Sequence, residues 1–187
     1  MPDHNLTWWQ KNHPSFVLYK CDKKTPAKMW TDQNMVLDIS SEEVIEWQLR
    51  GADNMYSVER LVAQGFDAIA ADNCKCHGDS FAGSGVPQPE RFASLLAVGF
   101  SNAWGACGVW RNGTWTQLFS GKPRDPDYTQ ANVRWMQRFH AGVRKFKTKS
   151  GQPMLLTPNW GIGGSQRYDD PEVLAVGNAT DGALSEW

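Results

Sequence analysis

The chain alternates short apolar runs with amphipathic stretches. Phe16-Val17-Leu18-Tyr19, following Pro14, and Met35-Val36-Leu37-Asp38-Ile39 are brief and almost continuously apolar, the pattern of buried strands. Phe66-Asp67-Ala68-Ile69-Ala70-Ala71-Asp72 is a third run, apolar at successive positions as expected where both faces are covered, which implies parallel pairing. Met154-Leu155-Leu156-Thr157-Pro158-Asn159 gives a fourth strand, and Asp181-Gly182-Ala183-Leu184-Ser185-Glu186 starts a fifth.

Between the strands the period lengthens. Ser40-Ser41-Glu42-Glu43 has the Ser-x-x-Glu spacing of a capping box, so a helix should begin there. Val44, Trp47, Leu49 and Ala52, then Val58, Leu61 and Val62, carry helical spacing to Gly65, which suits a left-handed C-cap, with Asp53-Asn54 as a candidate interruption. A Gly/Pro/Ser-rich loop spans Gly78 to Pro89, and Phe92 to Phe100 reads as helical. Val133, Met136, Phe139, Val143 and Phe146 fall at steps of three or four, which predicts a helix over 127–149 with basic residues at its end. Trp110-Arg111-Asn112-Gly113-Thr114-Trp115 places Asn-Gly between aromatic residues, the mark of a tight hairpin, read as an excursion from the scaffold near 109–117.

Strands alternating with helices indicate an α/β fold of parallel strands and right-handed crossovers. Asp38, Asp72, Asn159 and Glu186 end four of these strands, as in barrel enzymes that gather their chemistry at the C-terminal ends of the strands. The expectation is therefore a partial (β/α)8 TIM-barrel-like parallel barrel carrying the hairpin. By the period-two rule, Asp72 shares a face with Ala68 and Ala70, Asp38 with Val36, Asn159 with Leu155 and Thr157, and Glu186 with Leu184, so all four can point to one axis.

With 187 residues the chain fits one domain over its whole length, 1–187, and no repeat or linker divides it. A complete eight-stranded barrel takes about 250 residues and rarely fewer than 200, so the barrel is expected to be incomplete at the C-terminus, with the N-terminus left open. Exposed strand edges of such a barrel predict self-association. Nineteen Lys plus Arg against twenty Asp plus Glu give a formal charge of −1, which disfavours nucleic acid and anionic lipid as partners. No apolar run is long enough to span a bilayer, and Met1-Pro2-Asp3-His4-Asn5 does not read as a charged-then-apolar leader. Location stays open between extracellular and cytoplasmic.

Ten Trp residues stand out, and a flat apolar ring with one N–H donor serves either to fill a core or to stack on the C–H face of a sugar. The four Cys (Cys21, Cys74, Cys76, Cys107) are too few and too irregular for a disulfide-stapled scaffold, so a core must hold the fold. Cys74-Lys75-Cys76-His77 offers thiolates and an imidazole, but no second pair stands at zinc-site spacing. Gly161-Ile162-Gly163-Gly164 lacks the Lys of a phosphate loop, so no nucleotide or other cofactor is expected. Three sequons, at Asn5, Asn112 and Asn178, matter only in a secretory pathway that glycosylates.

His13-Pro14-Ser15-Phe16-Val17-Leu18-Tyr19, Val36-Leu37-Asp38-Ile39-Ser40, Gly65-Phe66-Asp67-Ala68-Ile69-Ala70-Ala71-Asp72-Asn73 and Asp181-Gly182-Ala183-Leu184-Ser185-Glu186 resemble, in that order, a family of glycoside hydrolases with a TIM-barrel fold. Ala68 stands where those proteins have Gly. The resemblance implies hydrolysis of a poly- or oligosaccharide, with Asp72 and Glu186 as the catalytic carboxylates, one as nucleophile or base and the other as acid. It also implies Asp38, Asn73 and Asn159 as substrate-contacting or carboxylate-orienting residues. Trp160 adds an aromatic plate, and Asp181 is a further substrate contact and an alternative acid. Glycoside hydrolysis needs such a carboxylate pair across a cleft. The alternatives are a carbohydrate-binding barrel without catalysis or an inactive fragment, and a metal-dependent hydrolase built on Asp38, Asp72 and the Cys74-Cys76-His77 cluster.

Overall fold

In the computed structural model the described residues are 5–28, 35–71, 102, 104–123, 125–160, 171–182, 184 and 185. The expected Gly78–Pro89 loop and the Phe92–Phe100 helix lie outside them. The described elements are helix α1 (Leu6–Asn12), α2 (Glu42–Arg50), α3 (Val58–Gln64), strand β1 (Ala68–Ala71), the hairpin strands β2 (Gly108–Arg111) and β3 (Thr114–Gln117), α4 (Pro126–Val143), β4 (Leu155–Trp160), α5 (Pro171–Asn178) and β5 (Leu184–Ser185).

These form a parallel sheet of order β1-β4-β5 and a separate antiparallel pair β2-β3. No barrel is present among the described residues, and the expected partial (β/α)8 barrel is corrected on this point. The decisive difference lies in the first two apolar runs. The first is buried and the second is buried at alternate positions, but they pair antiparallel, through the bridge Val17↔Leu37, while Tyr19↔Pro26 and Lys28↔Met35 pair each run with the segment between them. Leu18 N–H donates to Val36 O at 2.9 Å and Asp38 N–H to Phe16 O at 2.7 Å. A tight turn directly after Tyr19 brings the chain back to pair at Pro26. Lys23 adopts φ 63°, and the Asp22 carboxylate accepts from the Lys24 and Thr25 amides, so the chain doubles back within a few residues. The segment it returns lies against both runs: Ala27 N–H donates to Leu18 O at 2.8 Å and Val36 N–H to Ala27 O at 3.1 Å. Tyr19 then exchanges hydrogen bonds with Gly108, joining the hairpin to this antiparallel layer.

The hairpin itself follows its sequence. Asn112 and Gly113 have φ of 49° and 76°, the positive pair that a type I′ turn requires, and Trp110 faces Trp115 across the ladder. Gly65, at φ 97°, caps α3 with its N–H on Leu61 O and Val62 O. The capping box does not form. Ser41 is the N-cap of α2 without a side-chain bond, and the Ser40 hydroxyl donates to Asp38 Oδ1 instead. Asp53-Asn54 does interrupt the helical run, because Asn54 Nδ2 donates to Trp47 O and closes the end of α2. Helix α4 ends at Val143 rather than 149, and Lys147 bridges Pro153 on the way into β4. Asp125 caps its start, accepting from the Asp127 and Tyr128 amides beside Pro126 at the first helical position.

Three apolar clusters result. Leu49 of α2, Val58 of α3, Met136, Phe139 and Val143 of α4, Leu156 of β4 and Val176 of α5 pack with Ile69 and Ala71 of β1 beneath the parallel sheet. Leu18, Val36, Val109, Phe119 and Tyr128 fill the antiparallel layer, and Trp9, Phe16, Val17 and Trp47 form an aromatic cluster beside it. Cys21 and Cys107 are joined by a disulfide across a sequence separation of 86, tying the early turn to the root of the hairpin. The scattered Cys spacing had pointed to a fold held by its core alone.

Candidate active site

The parallel register decides what can meet. Ala71 pairs with Pro158, Asn159 with Leu184, and Trp160 with Ser185, so β1 and β5 flank β4 and all three strands end at one edge. Adjacent strands lie about 4.8 Å apart, which puts the backbones of β1 and β5 roughly 10 Å from each other. The sequence runs from Ala71 into Asp72-Asn73, from Trp160 into Gly161, and from Ser185 into Glu186. Asp72, Asn73 and Glu186 lie outside the described residues. Asn159 and Trp160 are the last two residues of β4.

Asp181 stands at the other end. Its amide donates to Leu156 O and its Oδ2 accepts from Leu156 N–H at 2.9 Å, beside the second residue of β4. Four residues of strand, about 13 Å, separate that point from Trp160. The same carboxylate accepts from His140 Nε2 at 3.0 Å and from Arg144 Nη1 at 2.9 Å, both on α4. Partial burial pushes its pKa up, but the Leu156 amide, His140 and Arg144 outweigh burial and hold it below the usual carboxylate range. The group locks α4 to the entry of β5.

Asp38 is fully buried in the antiparallel layer. Its Oδ1 accepts from the Ser40 amide at 3.0 Å and the Ser40 hydroxyl at 2.5 Å, and its Oδ2 accepts from Arg111 Nη2 at 2.8 Å. Three donors therefore hold it, linking the start of α2 to the hairpin. It follows a strand that pairs antiparallel with Val17, not a member of the parallel sheet.

Two further constellations carry no sequence signal. His13 Nε2 lies 2.7 Å from Asp53 Oδ2, and Trp47 Nε1 donates to Asp53 Oδ1 at 2.8 Å. The His13 ring stacks on Phe16 and meets Trp8, Trp9 and Trp47. Burial raises the Asp53 pKa, and the hydrogen bonds from His13 and Trp47 bring it down on balance. Forty residues separate His13 from Asp53, so no local spacing reports the pair. On the hairpin, Trp110 Nε1 donates to Lys23 O and the Lys23 ammonium sits over the Trp115 ring, so this Trp pair grips the early turn.

Cys74, Cys76 and His77 lie outside the described residues, and among the described residues no three His, Cys, Asp or Glu side chains gather as a metal site. No described helix is long and apolar enough to cross a membrane. No known protein family, curated protein or solved structure matches the chain. With the antiparallel pairing of the first two runs, that finding overturns the resemblance to TIM-barrel glycoside hydrolases. The shared motifs are short strand-end patterns that several α/β arrangements can carry.

Proposed function

We propose that the chain hydrolyses a glycosidic bond of a poly- or oligosaccharide with Asp72 and Glu186 as its carboxylate pair, on a three-stranded parallel edge rather than in a barrel. The observation that carries this reading is the strand order β1-β4-β5, in which the residues immediately preceding Asp72 and Glu186 end two strands that flank a third. In open parallel sheets, ligands bind outside the carboxyl ends of the strands. A backbone gap of roughly 10 Å is one that an Asp and a Glu side chain can close to either separation used in glycoside hydrolysis, about 5 Å or about 6.5–9.5 Å.

The assigned chemistry is acid/base or nucleophilic. One carboxyl group protonates the leaving glycosidic oxygen, and the other, ionised, attacks the anomeric carbon or deprotonates the attacking water. Asn159, Trp160 and Asn73 belong to the same edge by chain position and serve the sugar, by hydrogen bonding and ring stacking. Asp38 and Asp181 are assigned to holding the scaffold, since named protein donors already take their oxygens.

Release of reducing ends from a panel of neutral and acidic polysaccharides tests the reading. The full protein should be active on at least one, and Glu186→Gln should lose most of that activity while still binding the same glycan. A full protein that neither hydrolyses nor binds any glycan in the panel defeats the proposal.

A further inference from the structure

We propose that Asn112 is an N-glycan acceptor, in a chain that matures in an oxidising secretory compartment. Two independent observations meet at the hairpin. The first is the disulfide. Cys21 and Cys107 lie 86 residues apart and are bonded at the root of β2, and structural disulfides form and persist in oxidising compartments. The second is the placement of Asn112-Gly113-Thr114, the Asn-x-Thr acceptor sequence, at the outer end of the same hairpin.

All three acceptor residues are exposed, and a Cβ placed on Gly113 would meet no atom within 4 Å. The outer side of the turn is therefore open at Gly113. Positive φ at Asn112 and Gly113 projects the turn beyond the ladder, and Arg111↔Thr114 is the last pair that holds it. In each of the other two sequons one side chain is already hydrogen-bonded at its own helix end. Asn5 Oδ1 accepts the Trp8 amide as the N-cap of α1, and Thr180 Oγ1 donates to Gly177 O at the end of α5.

The co-reactant is a lipid-pyrophosphate-linked oligosaccharide, delivered by a membrane-bound transferase. Asn112 Nδ2 forms a bond to the anomeric carbon and gives up one amide proton to a base of the transferase. The anomeric C–O bond breaks, and the lipid pyrophosphate leaves with the electron pair.

The test directs the full chain into a eukaryotic secretory pathway and maps its peptides without reduction, in both the medium and the microsomal fraction. The expected result is a Cys21–Cys107 linked peptide together with a glycan on the peptide containing Asn112. An amidase that releases N-glycans should convert that residue to Asp. The glycan should vanish in Asn112→Gln and in Thr114→Ala, and stay in Asn5→Gln. If Asn112→Gln fails to accumulate, the wild-type map and Thr114→Ala decide the matter. An unmodified Asn112 peptide in chain that has entered the pathway, or free thiols at Cys21 and Cys107 there, overturns the proposal.

Discussion

Asp38 shows how an acid at the end of an apolar run can be taken up by donors from two other parts of the chain. Its position beside a helix start was visible in the sequence, but its main partner, Arg111, is 73 residues away on a hairpin, and no local pattern reports such a distance. Arg111→Ala leaves a buried carboxylate with only the Ser40 donors, which should cost about 1–3 kcal/mol. Urea unfolding checks this, and an unchanged midpoint would mean that the guanidinium contributes nothing. Asp181 makes a second residue-scale claim. Its folded pKa is lowered, so the stability it contributes is present above the unfolded value of about 3.9 and is lost as pH falls through the folded value. The stability gap between wild type and Asp181→Asn should therefore narrow as pH drops from about 5 into that range. A gap equally wide at neutral and strongly acid pH would contradict the lock between α4 and β5.

Elements whose signals are local were legible. The Asn112-Gly113 turn was readable because only a few residue types accept positive φ twice in succession, and Gly65 for the same reason at a helix end. Helix α4 was readable from Val133, Met136, Phe139 and Val143, all of which are buried. Its end was not, since Phe146 continues the apolar spacing while the chain has already turned to reach β4. Where α4 crosses α2 the packing leaves no slack, because a Cβ on Gly142 would run into Leu49 Cδ1 and Cδ2. Gly142→Ala should therefore destabilise by about 1–2 kcal/mol, overpacking outweighing the ~1 kcal/mol gain in helix propensity. Thermal unfolding measures it, and a more stable variant would show that the two helices can move apart freely.

For the whole molecule, the direction in which the first two apolar runs pair was the quantity that the sequence did not carry. A four-residue apolar run such as Phe16–Tyr19 specifies burial and extension, but not the direction of the strand it pairs with. The order β1-β4-β5 came from longer runs separated by helix, and their parallel sense was legible. The disulfide was not, since four irregular Cys specify no partner. It closes a long loop between layers, so replacing both Cys21 and Cys107 with Ser should cost about 2–5 kcal/mol in denaturant. Reductant should weaken the wild type but not the variant, and equal stability of all forms would remove its structural role. The central claim concerns the acids that continue from β1 and β5. Steady-state kinetics of Asp72→Asn on a glycan that the wild type cleaves tests it most directly. The account predicts a fall in kcat of at least about 100-fold with KM changed only a few-fold, whereas turnover equal to wild type would contradict it.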